Sequence, residues 1–351
     1  MALPLTSPPA TLCILRLSAV GDICHTLPIV RTLQQAWPET KLTWIIGKLE
    51  STLVGDIPGI EFIIFDKAKG FRAYRELRQQ MKGRHFDVLL HMQMSLRASL
   101  ASLLIPAKIR LGFDKQRAND LQWLFSNARI AHKPKQHVMD SFFGFLEALG
   151  IKEKQLEWNI PISAAVSAEV NKFLPQQPFM VISPCSSMVY RNWTVEGYAE
   201  VIDYAAEKYQ LPTVLTGGTS TIEHEYGERI LRLCKHKPIN MIGKTSLKQL
   251  LAILQQAELL IAPDSGPAHM ATTVGTPVIG LYATTNPDRA RPYLCPDLVV
   301  NRYPDAVYKM YEKSVDEVPW GIRIREPGTM ERISIEDVKA MLDQHMNANS
   351  T

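Results

Sequence analysis

Two segments of this 351-residue sequence put a carboxylate where an apolar, strand-like run meets a helical pattern. In RLSAVGDICHTLP (16–28), Gly21 suits a left-handed turn and Asp22 falls near the start of a helix. Asp22 there is either an N-terminal cap favoured by the helix dipole or a general base for an acceptor hydroxyl. In APDSGPAHMA (262–271), Pro267 is a favoured first helical residue. The free amides of Ser265, Gly266 and Ala268, with the Ser265 hydroxyl, suit a diphosphate, though an Asx turn with a cap has the same composition. His269, one turn on, reads either as a core histidine or as a phosphate donor.

Two further polar loops follow apolar runs. SPCSSMVYRNW (183–193) offers Ser183, Ser186 and the cation Arg191, and TGGTS (216–220) offers Thr216 and Gly217 ahead of Glu223 and Glu225. Polar loops at the ends of neighbouring strands suit a nucleotide-type ligand. With no D-x-D pair and no metal-ligand spacing, no divalent ion is expected, so phosphate charge falls to amides and cations. The P-loop, the G-x-S-x-G elbow and zinc-finger spacing are also absent from the sequence.

Elements able to position these loops alternate along the chain. Strands are expected at Leu12–Leu17, Lys41–Ile46, Phe62–Phe65, Val88–His91 and Lys108–Leu111, then at Phe179–Ser183, Thr213–Thr216, Ile239–Ile242, Leu259–Ala262 and Val278–Tyr282, with helical patterns between them. This predicts an α/β chain of two doubly wound, Rossmann-like units facing a central cleft. The expected limits are a disordered lead at 1–10, a first unit at 11–155, a Pro-marked linker at 156–178, a second unit at 179–330, and a C-terminal helix and tail at 331–351.

Composition is that of a globular protein, with 46% hydrophobic and 21% charged residues. No run reaches the length of a membrane-spanning helix, and the Pro-broken N-terminus lacks the basic start of a secretory signal. Cys13, Cys24, Cys185, Cys234 and Cys295 are scattered, which predicts reduced, buried thiols and a cytoplasmic setting. The net charge of +4 is unevenly divided, with 19 Lys+Arg against 12 Asp+Glu in residues 1–150 and 20 against 23 afterwards. A segment rich in Lys67, Lys69, Arg72, Arg75 and Arg78, with Arg97 beyond it, is either a solvated helix face or a docking surface for anionic lipid. No nucleic-acid module accompanies it.

The segments ILRLSAVGDICHTLPIVRTLQQAWPETKLTWIIG and LLIAPDSGPAHMATTVGTPVIGLYATTNP, in this order, resemble the lipopolysaccharide heptosyltransferases of glycosyltransferase family 9 over about residues 11–300. Within the family the resemblance is to the heptosyltransferase I branch, which adds the first heptose to Kdo of the inner core. It implies a GT-B fold with an N-terminal acceptor domain and a C-terminal ADP-heptose domain. The implied reaction is inverting and metal-free, on a Kdo-lipid A acceptor, by a cytoplasmic enzyme peripheral on the inner face of the inner membrane. It makes Asp22 the catalytic base, with Ser18, Gly21 and His25 beside the acceptor. Asp264, Ser265, Gly266 and His269 become the donor motif, Arg191 a phosphate contact, and Glu225 or Glu223 a ribose contact. The segment Cys185–Tyr190 departs from the family's Thr-rich form. The rival readings are a family member acting on a later core sugar, a sugar-nucleotide 2-epimerase, and a non-catalytic glycolipid-binding protein.

Overall fold

The computed structural model describes residues 3–118 and 120–348, and the chain divides into two compact units between Pro161 and Ile162. In the first unit the apolar runs form β1 (Thr11–Leu15), β2 (Lys41–Gly47), β3 (Ile60–Phe65), β4 (Phe86–His91), β5 (Ala107–Gly112) and the short β6 (Ala128–Arg129). They make one parallel sheet in the order β3-β2-β1-β4-β5-β6. Register is set by apolar pairs, with Leu12 beside Leu42 and Val88, and Ile14 beside Trp44 and Leu90. Such strands read as continuous apolar runs because helices cover both faces of the sheet. The helices are α1 (Val20–Ala36), α2 (Lys48–Val54), α3 (Phe71–Gln80), α4 (Leu96–Ser102) and α5 (Val138–Leu149).

The second unit repeats the plan. Its strands β7 (Met180–Ile182), β8 (Thr213–Leu215), β9 (Ile239–Asn240), β10 (Leu259–Pro263), β11 (Val278–Tyr282) and β12 (Val299–Asn301) lie parallel in the order β12-β11-β10-β7-β8-β9. Helices α6 (Ala164–Val170), α7 (Val195–Tyr209), α8 (Thr221–Leu233), α9 (Leu247–Gln256), α10 (Gly266–Thr273), α11 (Pro287–Ala290), α12 (Tyr303–Tyr311) and α13 (Ile335–Ala348) surround the sheet. In each unit the strand order reverses beside the first strand, so a crevice opens where β1 meets β4 and where β7 meets β10. Both carboxylate-bearing segments leave strands at these reversal points.

Several expectations are corrected. The lead is not disordered over 3–10, because Leu5 donates its amide to the Leu149 carbonyl and Thr40 donates its hydroxyl to the Pro9 carbonyl. Met1 and Ala2 lie outside the described residues, as do the last three positions of the expected tail. The stretch expected as linker contains α6, which packs on α9 within the second unit. All five cysteines are buried and unpaired.

The core of the second unit explains one glycine. Trp193 is buried and donates its indole N–H to the Ile333 carbonyl at 2.9 Å, anchoring the residues just before α13. A Cβ at Gly197, in the first turn of α7, would lie 2.6 Å from two atoms of the Trp193 ring. Helix propensity alone favours Ala over Gly by about 1 kcal/mol, but a rigid, buried ring has no free direction to move. Gly197→Ala is therefore expected to destabilise the protein by about 1–3 kcal/mol through overpacking, read as a lower urea midpoint. A rise in the midpoint would show that the ring yields.

Candidate active site

The first site begins where β1 runs out of sheet partners. Arg16, at the end of an otherwise apolar strand, turns its guanidinium back under the β1–α1 turn, where Nη1 donates to the Met92 carbonyl at 2.5 Å. Nη2 forms an ion pair with Asp22 Oδ2, and the guanidinium lies 5.3 Å from the centre of the Phe142 ring. Asp22 is the third residue of α1 rather than its cap, and its Oδ2 also accepts a long 3.5 Å bond from the amide of the cap residue Ala19. The side chain is about one-third exposed. Arg16 thus orients one carboxylate oxygen and leaves Oδ1 without a hydrogen-bond partner among the described residues.

The surroundings of this turn are tightly bound. Leu17 donates its amide to Gln93 Oε1 at 2.6 Å, Gln93 Nε2 reaches Ser18 Oγ at 3.3 Å, and Gln122 holds the Gln93 carbonyl. The Leu17 carbonyl accepts from the Gly47 amide at 3.0 Å. A Cβ on Gly47 would sit 2.3 Å from that carbonyl oxygen, so the close approach requires glycine. Burial pushes the Glu50 carboxyl up, against the opposing charges of Lys67 and Arg16. His91, at the end of β4, is fully buried, and burial together with Arg110 and Arg16 lowers its imidazole to about 3, which keeps it uncharged beside the Arg16 pair.

Gly21 does not take the expected left-handed conformation but lies inside the first turn of α1. His25 is buried against His137 and Phe142, at ring separations of 5.6 and 6.4 Å, and so packs in the interior. Lys67, Lys69, Arg72, Arg75, Arg78 and Arg97 are all exposed. Lys69 and Arg72 both pair with Glu76. Sequence reasoning did not single out Arg16, Gln93 or Glu50; a cation ending an apolar strand was the available signal for Arg16.

The second site gathers around Asp264, which β10 delivers into the crevice beside β7. Its Oδ2 lies 3.1 Å from Arg191 Nη1 and its Oδ1 lies 3.7 Å from His269 Nε2. Burial raises the Asp264 carboxyl, but hydrogen bonds from His269 and Thr285 and the Arg191 charge outweigh it and hold the group below the usual carboxylate range. The Asp264 carbonyl accepts from Ser186 Oγ and Arg191 Nη1, both at 3.1 Å. Ser183 and Thr216 share a buried hydroxyl bond of 2.6 Å, tying the loop after β7 to the loop after β8.

Among the buried polar atoms of this cluster without a protein hydrogen-bond partner are Ser265 Oγ and Arg191 Nε. Unsatisfied buried polar groups are costly, and such groups at a ligand site find their partner in the ligand. They lie where Ser265 caps α10 and Pro267 occupies its first turn, at the positive end of the helix dipole. Glu225 is exposed on α8. Glu223 instead turns back, accepting from the Gly218 amide at 2.6 Å and the Ser220 hydroxyl at 2.7 Å, so it braces the loop that contains Gly217. Thr285 was not anticipated, since only the return of β11 beside β10 brings it to Asp264. Among the described residues, no group of three or more His, Cys, Asp or Glu side chains gathers as a metal site.

Two parallel α/β sheets of Rossmann order, each with its polar loops at the carboxyl ends of the strands, are the plan of the GT-B fold. The model of glycosyltransferase family 9 (heptosyltransferase) matches residues 74–317. The lipopolysaccharide core heptosyltransferase OpsX of Haemophilus influenzae is 42% identical over 95% of this chain and 96% of its own. A family 9 glycosyltransferase structure from Veillonella parvula superposes with a TM-score of 0.79 at 23% identity, covering 97% of each chain. Escherichia coli heptosyltransferase WaaC with ADP superposes at 0.72 and 18% identity, covering 95% of this chain and 99% of that one. The chain belongs to glycosyltransferase family 9, the heptosyltransferases, and is a transferase enzyme.

Proposed function

We propose that this enzyme transfers heptose from ADP-heptose to Kdo of a lipid A-linked inner core, as a heptosyltransferase I, with inversion and without a metal ion. The observation that carries the reading is the Asp22 carboxylate, with Oδ2 held by Arg16 and Oδ1 open at the carboxyl end of β1. The Haemophilus influenzae relative, named as a core heptosyltransferase, supports the substrate class.

In this reading the first unit handles the acceptor. Asp22 Oδ1 takes the proton of a Kdo hydroxyl, and the freed oxygen pair forms the bond to the heptose anomeric carbon. The bond from that carbon to the diphosphate oxygen breaks, and ADP leaves with the electron pair. A single displacement inverts the anomeric centre. The second unit holds the donor through Ser265 Oγ, the amides at the start of α10 and the Arg191 guanidinium, which meet the charge developing on the leaving diphosphate. Ser183, Ser186, Thr216, Gly217 and His269 shape the same cluster, and Glu225 remains the candidate for the nucleotide ribose. The exposed cations of α3 suit an anionic membrane surface, giving a peripheral location at the inner face of the inner membrane. No helix among the described residues is long and apolar enough to cross a membrane.

The test is a transfer assay with ADP-heptose and Kdo₂-lipid A, mono-Kdo-lipid A or its phosphorylated form, with and without EDTA. A heptosylated product at equal rate with EDTA is expected. Product only with acceptors that already carry heptose would move the enzyme to a later core sugar, and loss of activity with EDTA would overturn the metal-free mechanism.

A further inference from the structure

Helix α4 is packed inside out relative to its sequence. Its small residues Ala98, Ser99, Ala101 and Ser102 are buried, whereas Leu96, Leu100 and Leu103, spaced i, i+4 and i+7, stand 56%, 43% and 61% exposed. Beside it Phe71, the first residue of α3, is 89% exposed. The two helices are neighbours, since Tyr74 Oη donates to the Arg97 carbonyl at 3.3 Å. On the other flank the Leu96 amide donates to Asp120 Oδ2 at 3.3 Å, which brings exposed Leu121 and Leu124 alongside. Single exposed leucines are ordinary, but a helical stripe of them continuous with further large apolar residues marks an interaction surface.

Charge says what covers it. Arg72, Arg75, Arg78 and Arg97 are exposed on the same pair of helices. The single acid of α3, Glu76, is already engaged by Lys69 and Arg72. An apolar stripe edged by Arg75, Arg78 and Arg97, which have no ion-pair partner among the described residues, and by Arg72, which shares the one Glu76 carboxylate with Lys69, fits a partner that is both negatively charged and oily at its surface. Stable attachment to a bilayer takes two such signals together, because one alone is reversible. We propose that this face docks the protein onto an anionic lipid bilayer, with Phe71, Leu96, Leu100 and Leu103 entering the interfacial layer and Arg72, Arg75, Arg78 and Arg97 meeting the headgroups. The inference rests on the membrane-surface reading above and adds to it an apolar anchor, so attachment is only partly electrostatic.

The test is flotation of the full-length protein with vesicles of phosphatidylglycerol and phosphatidylethanolamine, or of phosphatidylcholine alone, at low and high salt, with no donor or acceptor present. Wild-type protein is expected to float with the anionic vesicles and to keep a bound fraction at high salt, where headgroup attraction is screened. The variant L96Q/L100Q/L103Q, altered only at exposed positions, is expected to bind at low salt and to lose the salt-resistant fraction by roughly tenfold or more. Arg72→Gln, Arg75→Gln and Arg78→Gln together should weaken low-salt binding, by roughly fivefold per cation. Absence of binding to anionic vesicles, or an unchanged salt-resistant fraction in the leucine variant, overturns the proposal. So does a wild-type dimer that the leucine variant converts to monomer, since a second copy would then be the occupant. Transfer to a deacylated, water-soluble acceptor separates the two readings: if it proceeds while vesicle binding fails, only the docking face is lost.

Discussion

Asp22→Asn is expected to lower kcat by roughly a hundred- to ten-thousand-fold, the usual contribution of a positioned acid–base group. The amide has the size and shape of the carboxylate, and its oxygen still accepts from Arg16, so the turn between β1 and α1 is preserved. What disappears is the lone pair proposed to take the acceptor proton. Because the proposed nucleotide contacts belong to the second unit, the Kd for ADP should stay within about twofold, and the loss should fall on kcat and kcat/KM alike. Rapid-mix turnover measurements with saturating donor, beside calorimetric ADP titration, give both quantities. Asp22→Ala should show a similar loss of turnover with a lower melting point, since it leaves Arg16, a mostly buried cation, without its partner. Near-normal turnover in Asp22→Asn would remove Asp22 from the chemistry.

Asp264→Ala is expected to have the largest effect on stability and donor binding together. Arg191 is mostly buried, its side chain 12% exposed, and has Asp264 as its counter-charge, so the alanine variant leaves a largely buried cation unpaired at a cost of about 3–5 kcal/mol. For a unit of this size that corresponds to a drop in Tm of roughly 6–20 °C. The same deletion releases Arg191 and His269 from the geometry around Ser265, so ADP affinity should fall at least tenfold. Asp264→Asn keeps an acceptor for Arg191 and should lose less on both counts. The pH dependence has a definite sign. Asp264 sits below its ordinary carboxylate pKa of about 3.9, so the stability it contributes is present above that value and is lost as the pH falls through the folded pKa. Wild-type protein should therefore lose more stability than Asp264→Ala on acidification below about pH 4. Scanning calorimetry at pH 7 and pH 3.5 checks this, and a variant that matches wild type in Tm and ADP binding would show the cluster to be incidental.

The strands most legible in the sequence are those buried on both faces. LCIL at 12–15, LLIA at 259–262 and VIGLY at 278–282 are continuous apolar runs, and each is a central strand of its sheet. The elements that escaped are short or polar. Strands β6 and β12 are edge strands of two and three residues, and α2, α6 and α12 bury only a few side chains each. Elements of that kind carry little periodicity of their own, because their conformation follows from the neighbours they pack against.

At the candidate site, residue type and position after a strand marked Asp22, Asp264, Ser265 and Arg191 as candidates, but left Asp22 open between cap and base and the turn at 264–266 open between an Asx turn and a phosphate site; only the family resemblance chose between them. Local sequence could not separate Glu223 from Glu225, which are two positions apart on one helix. Only the backbone direction of the loop at 216–220 turns Glu223 onto the Gly218 amide. Nor could it orient α4, where apolar periodicity alone points the leucines inward. The close approach of α4 to the sheet admits alanine and serine and turns Leu96, Leu100 and Leu103 outward.

The sequence by itself determined the α/β alternation, the two-unit plan and the chemical inventory of the loops, because burial of strands and the composition of turns are local properties of the chain. The pairing of Arg16 with Asp22, the convergence of Arg191, His269 and Thr285 on Asp264, and the outward face of α4 were decided only by tertiary structure. Each depends on which strand lies beside which, and that order is set by packing over the whole sheet rather than by any one segment.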